Sequence, residues 1–304
     1  MPWPASQGRR GSSIPRTKEK AGRVPHTPDT SKEFEFTRRD FERVRALIYR
    51  RAGISLADSK QEMVYSRLAR RLRATGIAVF ANYLDELEAG RMDHEWESFT
   101  NALTTNLTSF FREAHHFPLL AEHALASRAR HGAQLNIWCA ASSTGEEPYS
   151  IAMTMCEAFG TLHPPVSIVA TDIDTNVLAT AGDGIYGMER VDKLAPERLR
   201  KFFLRGKGAQ AGMARVRPEL RNLVTFRQLN LQDADWQLKG AFDAIFCRNV
   251  MIYFDKETQR KILSRFVPLM KPDGLLFAGH SENFLYVSDA LRLRGKTVYE
   301  LNHA

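Results

Sequence analysis

The sequence predicts an α/β fold: a doubly wound parallel sheet, preceded by a small N-terminal all-helical domain and carrying an inserted antiparallel β subdomain. Three observations predict it. Residues 33–103 show helical periodicity throughout, short apolar runs alternate with helical stretches from Leu135 onward, and one glycine-punctuated piece breaks that alternation. Apolar strands separated by helices are what a parallel sheet covered on both faces requires.

Taken in order, residues 1–32 hold seven Lys/Arg against Glu19 and Asp29, so +5 of the chain's +8 sits there. Rich in Pro, Gly, Ser and Thr, this stretch reads as a disordered basic tail, too poor in apolar residues to offset its ordering entropy. Thr37 is positioned to cap a first helix, with Phe41, Val44, Leu47 and Ile48 at helical spacing and Gly53 as its stop. A second helix carries the stripe Val64, Leu68 and Leu72 up to Gly76, and a third ends at Gly90. The helical domain is thus expected over 33–103 and the sheet domain over 104–304. "LNIWCAA", "VSIVATDID", "VTFRQLNL", "FDAIFCRN" and "GLLFAGHSE" supply the strands, "LRLRGKTVYEL" an edge hairpin, and the glycine-rich piece an insertion at about 201–222.

No run approaches the roughly 18 apolar residues of a membrane span, and the start lacks the apolar core of a signal peptide, so a cytoplasmic protein without membrane insertion is expected. Cys139, Cys156 and Cys247 lie in apolar runs without metal-ligand spacing and read as reduced core residues. With most positive charge in the tail and no aromatic-rich base-reading segment, no nucleic-acid partner is expected.

The turn after the first strand, "WCAASSTGEEPYSIAM", carries one glycine, Gly145, where a dinucleotide site would carry three, and Glu146 and Glu147 follow it at a helix start. Carboxylates there oppose a bound phosphate. A nucleoside with a cationic group and no phosphates suits the turn, and S-adenosylmethionine has that chemistry. Glu146 is then the partner for its ammonium and Asp172 for its ribose diol, with Asn230 and Asn249 at the next two strand ends. Singly, Glu146 reads better as a first-turn acid, and Asp172, Asn230 and Asn249 have readings as a helix cap and two turn asparagines. Their joint occurrence at consecutive strand ends is what favours a site. His115 and His116 read as a helix-surface pair, and no metal is expected.

"TTNLTSFFRE", "STGEEPYSIA", "ATDID", "FCRNVMIYFD" and "LMKPDGLLFAGHSE" occur in the order of the blocks of the CheR-type chemotaxis receptor methyltransferases, and the chain resembles that family from about Phe34 to Leu301. The resemblance implies a Rossmann-like S-adenosylmethionine-dependent methyltransferase that esterifies glutamate side chains of methyl-accepting chemotaxis receptors, releasing S-adenosylhomocysteine, in a cytoplasmic enzyme recruited to receptor arrays. It implies cofactor contacts from Asn106, Thr108, Arg112, Glu146, Asp172, Asn230, Leu231, Arg248 and Asn249, with Arg112 and Tyr253 beside the transferred methyl. The insertion resembles the family's peptide-gripping subdomain, with Gly206, Gly208, Gly212 and Arg215 matching the version that holds a C-terminal receptor tether. Arg67, Arg70 and Arg71, with Arg73 nearby, are candidates for docking an acidic methylation helix, or else form a solvated face. A glutamate carboxylate, with a reference pKa of about 4.3, needs no general base near neutrality. Two other readings stay open: a nucleic-acid methyltransferase on the same sheet, and a non-catalytic sensor of the cofactor.

Overall fold

The computed structural model describes residues 32–302; the basic tail expected over 1–32 lies, but for Lys32, outside the described residues. Helix α1 (Arg38–Ala52) starts where Thr37 and Asp40 close a reciprocal capping box and ends at Gly53 in the left-handed conformation. α2 (Gln61–Thr75) buries Val64, Leu68 and Leu72 completely and stops at Gly76. α3 (Phe80–Glu88) and α4 (Glu95–Leu103) complete one helical core, centred on Phe41, Phe80, Tyr83 and Phe99. α5 (His116–His131) then leads into the sheet domain.

The large sheet contains β1 (Leu135–Cys139), β2 (Val166–Asp172), β6 (Val224–Gln228), β7 (Phe242–Cys247), β8 (Met270–Ala278), β9 (Leu291–Gly295) and β10 (Val298–Leu301). Its order is β6-β2-β1-β7-β8-β10-β9. The first five strands run parallel, and the β9–β10 hairpin adds an antiparallel edge to β8. Alternation along β1 serves both faces: Ile137 and Cys139 join one core, Trp138 the other. Winding proceeds outward from β1 to β2 and β6, then reverses to β7 and β8. That reversal makes the carboxyl ends of β1 and β7 the place for a ligand crevice.

The insertion is larger than its sequence signal. β4 (Phe203–Arg205) and β5 (Met213–Val216) form the expected hairpin, but β3 (Ile185–Gly187) pairs with the other side of β5, giving a three-stranded sheet in the order β3-β5-β4. Three residues between helices carry no usable alternation, and the partner strand lies beyond two further helices and β4, so the 201–222 boundary falls inside the subdomain.

Gly145 explains the sparse turn before α6 (Glu146–Ala158). Its φ is +97°, and a Cβ there would come within 2.8 Å of Tyr186 Oη on β3 and 2.9 Å of Ala181 in α7 (Thr175–Asp183). The glycine lets the subdomain and α7 close on the turn.

Candidate active site

A cavity of about 370 Å³ opens at the carboxyl ends of β1, β2, β6 and β7, roofed by Ile54 and Leu56 of the α1–α2 connection and by Met63 in the first turn of α2. The roof is tied down at two points. Asn230 Nδ2 donates to the Arg51 carbonyl at 2.8 Å, and the Ser55 N–H donates to the Tyr253 carbonyl at 2.8 Å.

Nine of the sequence-predicted residues line this cavity: Asn106, Thr108, Arg112, Asp172, Asn230, Leu231, Arg248, Asn249 and Tyr253. Glu146 does not. It is fully buried and points to the β subdomain, where it accepts from Thr144 at 2.6 Å and pairs with Arg190. Its neighbour Glu147 lines the cavity instead. Successive helical residues point about 100° apart, and nothing in "GEEP" says which of the two faces the crevice.

Asp172 is 8% exposed, at the end of β2. Its two oxygens accept the Ser143 N–H at 2.8 Å and the Asp174 N–H at 3.0 Å. Burial outweighs these bonds and pushes its carboxyl up to about 6. Asn106 is held by Asp174, whose carboxylate accepts from Asn106 Nδ2 and Thr104 Oγ1, both at 2.7 Å, while capping α7. The Arg112 guanidinium closes its own loop on the Leu107 carbonyl at 2.8 Å.

Behind Arg112 runs a buried charge ladder. Arg248 pairs with Glu147 at 2.8 Å and with Glu113 at 3.3 Å. Glu147 also accepts from the Cys139 thiol at 3.2 Å, and its burial raises its pKa against the pull of Arg248. For Glu113 the balance is reversed: against the cost of burial, Arg248 and hydrogen bonds from His280 and Asn249 bring its carboxyl down to about 2. His116 is wholly buried rather than on a helix surface, stacked edge-on against Phe277 and bonded to the Lys296 carbonyl at 3.1 Å. Burial and Arg248 lower its pKa to about 4. Glu113, His115 and His116 bring ligand atoms within 4.8 Å of one another, but the Arg248 guanidinium on Glu113 opposes a cation there.

Sequence reasoning missed Glu282. Its buried carboxylate accepts four backbone N–H groups, from Gly279 at 2.5 Å, Asn249 at 2.9 Å, Val250 at 2.9 Å and Met251 at 2.7 Å, and so fixes the turn that carries Asn249 and Tyr253. Only its place at the end of "GHSE", after a strand, hinted at such a role. Four non-glycine residues around the cavity hold positive φ: Phe111 (53°), Glu113 (54°), Ser143 (48°) and Asn249 (57°). Each such conformation costs on the order of 1–3 kcal/mol and clusters where a site demands it.

The remaining candidates lie elsewhere. Arg67, Arg70 and Arg71 line a groove between α2 and α4 that shares Thr104 with the cavity. Arg71 is committed to the buried Glu95 through two 2.7 Å bonds, and Arg67 holds the carbonyls of Ala102 and Thr104 at the end of α4. Arg73 pairs with Glu33. Among the described residues no carboxylate pairs with Arg67 or Arg70. In the hairpin, Gly208 (φ +56°) and Gly212 (φ +84°) have open space around them, whereas a Cβ on Gly206 would meet the Gln210 carbonyl at 1.9 Å. Arg215 is exposed on the central strand β5.

A phosphate-free nucleoside fits this cavity: its wall presents Asp172, a carboxylate short of compensating donors, and Glu147, and it has no glycine cradle for a pyrophosphate. Fold and cavity together define an S-adenosylmethionine-dependent methyltransferase. Residues 106–299 match the CheR methyltransferase SAM-binding domain and residues 39–104 the CheR methyltransferase all-alpha domain, so the chain belongs to the CheR methyltransferase family. It is 57% identical to chemotaxis protein methyltransferase 2 of Pseudomonas aeruginosa, over 88% of this chain and 95% of that protein. It is also 57% identical to the chemotaxis protein methyltransferase of Salmonella typhimurium and 56% identical to that of Escherichia coli, in each case over 86% of this chain and 90% of the relative. Among the described residues no helix is long and apolar enough to cross a membrane.

Proposed function

We propose that the chain methylates glutamate side chains of chemotaxis receptors, and that Asp172, Glu147, Asn106, Thr108, Asn230, Leu231, Arg248 and Asn249 hold the methyl donor. The observation that carries this reading is the convergence of Asp172, Arg112, Arg248 and Tyr253 on one cavity beneath a helical roof, in a chain more than half identical to named chemotaxis methyltransferases. When bound, S-adenosylmethionine supplies a sulfonium methyl; the glutamate oxygen bonds to the methyl carbon as the carbon–sulfur bond breaks, leaving the thioether S-adenosylhomocysteine and a methyl ester. Asp172 accepts from the ribose hydroxyls, and Glu147 rather than Glu146 meets the amino-acid ammonium.

Arg112 and Tyr253 orient the acceptor carboxylate. Because Arg112 already donates to the Leu107 carbonyl, part of its guanidinium is engaged and its hold on the acceptor is positional. That suits the chemistry, since an arginine clamped on the attacking oxygen would blunt its nucleophilicity. With the acceptor ionised near neutrality, no base has to be supplied.

Arg67 and Arg70, free of carboxylate partners, attract the acidic receptor helix, and the cytoplasmic enzyme reaches it at the receptor array. The β subdomain tethers the receptor's C-terminal peptide along the outer edge of β4, with Gly206, Gly208 and Gly212 shaping the adjoining turn and Arg215 pairing with the peptide's carboxylates. Incubation with methyl-labelled S-adenosylmethionine and receptor-bearing membranes tests the reading. Label released as methanol by alkali is expected; label stable to alkali, or none incorporated, contradicts it.

A further inference from the structure

Nine large apolar side chains are well exposed among the described residues, and only two of them, Leu107 and Ile252, line the cavity. Leu107 is 79% and Ile252 50% exposed. They stand on the two segments that carry the groups beside the reaction: Leu107 on the loop of Thr108 and Arg112, Ile252 next to Tyr253. The backbone of each segment is pinned by a polar anchor. The Leu107 carbonyl accepts from the Arg112 guanidinium at 2.8 Å. The Val250 and Met251 N–H groups are held by the buried Glu282 carboxylate, and the Tyr253 carbonyl by Ser55 of the roof. The backbone that presents both side chains is therefore fixed by the fold.

Methyl transfer from a sulfonium to a carboxylate annihilates two charges, so water, which solvates the separated charges better than the transition state, slows it. With Leu107 and Ile252 exposed, the mouth of the cavity is open to solvent. We infer that Leu107 and Ile252 form an apolar seal that only a docked substrate helix completes, excluding water from the carboxylate between Arg112 and Tyr253. This rests on the function proposed above. The occupant is an amphipathic acidic helix that brings apolar or small side chains beside its target glutamate. Charge complementarity favours that class: Arg112 and Lys60 line the same cavity, and the adjoining groove offers Arg67 and Arg70.

The seal is tested with Leu107→Ser and Ile252→Ser, with Leu107→Met and Ile252→Val as conservative controls. Each serine variant is expected to lower kcat/KM for receptor methylation at least about tenfold while S-adenosylhomocysteine affinity stays within about threefold, and the conservative variants to recover most activity. Since Cys139, Cys156 and Cys247 are all buried, Leu107→Cys offers one accessible thiol for a polarity-sensitive dye. Its emission is expected to shift to the blue when receptor-bearing vesicles are added without any methyl donor. Full activity of both serine variants, or unshifted emission with vesicles that the wild type methylates, overturns the seal alone. Failure of the wild type to methylate those vesicles instead removes the functional reading, and the seal with it.

Discussion

At the residue scale, Asp172 links burial, charge and ligand. The folded chain holds the Asp172 proton up to about pH 6, against an ordinary value of 3.8. The stability that this proton contributes is therefore full below the ordinary value and is lost as pH rises through about 6. With Asp172 on the ribose diol as proposed, cofactor affinity is expected to run the opposite way, because only an ionised carboxylate accepts from both hydroxyls. Calorimetry with S-adenosylhomocysteine is expected to show constant affinity above roughly pH 7 and a fall approaching tenfold per unit below about pH 6. Asp172→Asn should flatten that profile and weaken binding at neutral pH by roughly 1.5–3 kcal/mol. A wild-type affinity independent of pH across this window would take Asp172 out of the ribose site. Asp172, Asn230 and Asn249 were legible because strand ends in a doubly wound sheet are where ligands bind. That Glu147 rather than Glu146 lines the cavity was not legible, and Glu113 and Glu282 were invisible because their partners come from other loops: Arg248 for one, the 249–251 backbone for the other.

At the scale of elements, the periodic pieces were the readable ones. α1, with its capping box and Gly53, and the five parallel strands follow from local pattern. β3 and the commitment of Arg71 to Glu95 do not, since each depends on a partner distant in sequence. The β subdomain still yields a prediction. Gly208 and Gly212 occupy left-handed backbone, so a bulky residue there would strain the hairpin itself, whereas Arg215 is exposed and changes charge without strain. Arg215→Glu is expected to slow methylation of receptors with an intact C-terminal peptide, because a tether raises local substrate concentration toward the mM range without adding a catalytic contact. Receptors lacking the peptide should be methylated at their wild-type rate. Equal slowing of both substrates would assign Arg215 to folding or helix docking, and no slowing of either would leave the hairpin a structural element.

At the scale of the whole molecule, the helical domain is part of the site. Its α1–α2 connection roofs the cavity, and the roof is bonded to the strand-end loops through Arg51 at the end of α1 (to Asn230) and Ser55 in the connection (to Tyr253). The sequence announced two domains but not that the ligand cavity would lie between them, because the contacts that make it so join residues about two hundred positions apart, such as Arg51 with Asn230 and Ser55 with Tyr253. As proposed, this cavity holds the methyl donor and the acceptor carboxylate together, with Arg112 and Tyr253 on the acceptor side. Single-turnover methylation by Arg112→Ala and Tyr253→Phe, measured beside S-adenosylhomocysteine affinity in the same preparations, tests it most directly. Turnover is expected to fall at least about tenfold more than affinity in both variants. Matched losses in turnover and affinity, or full turnover in both, would contradict it.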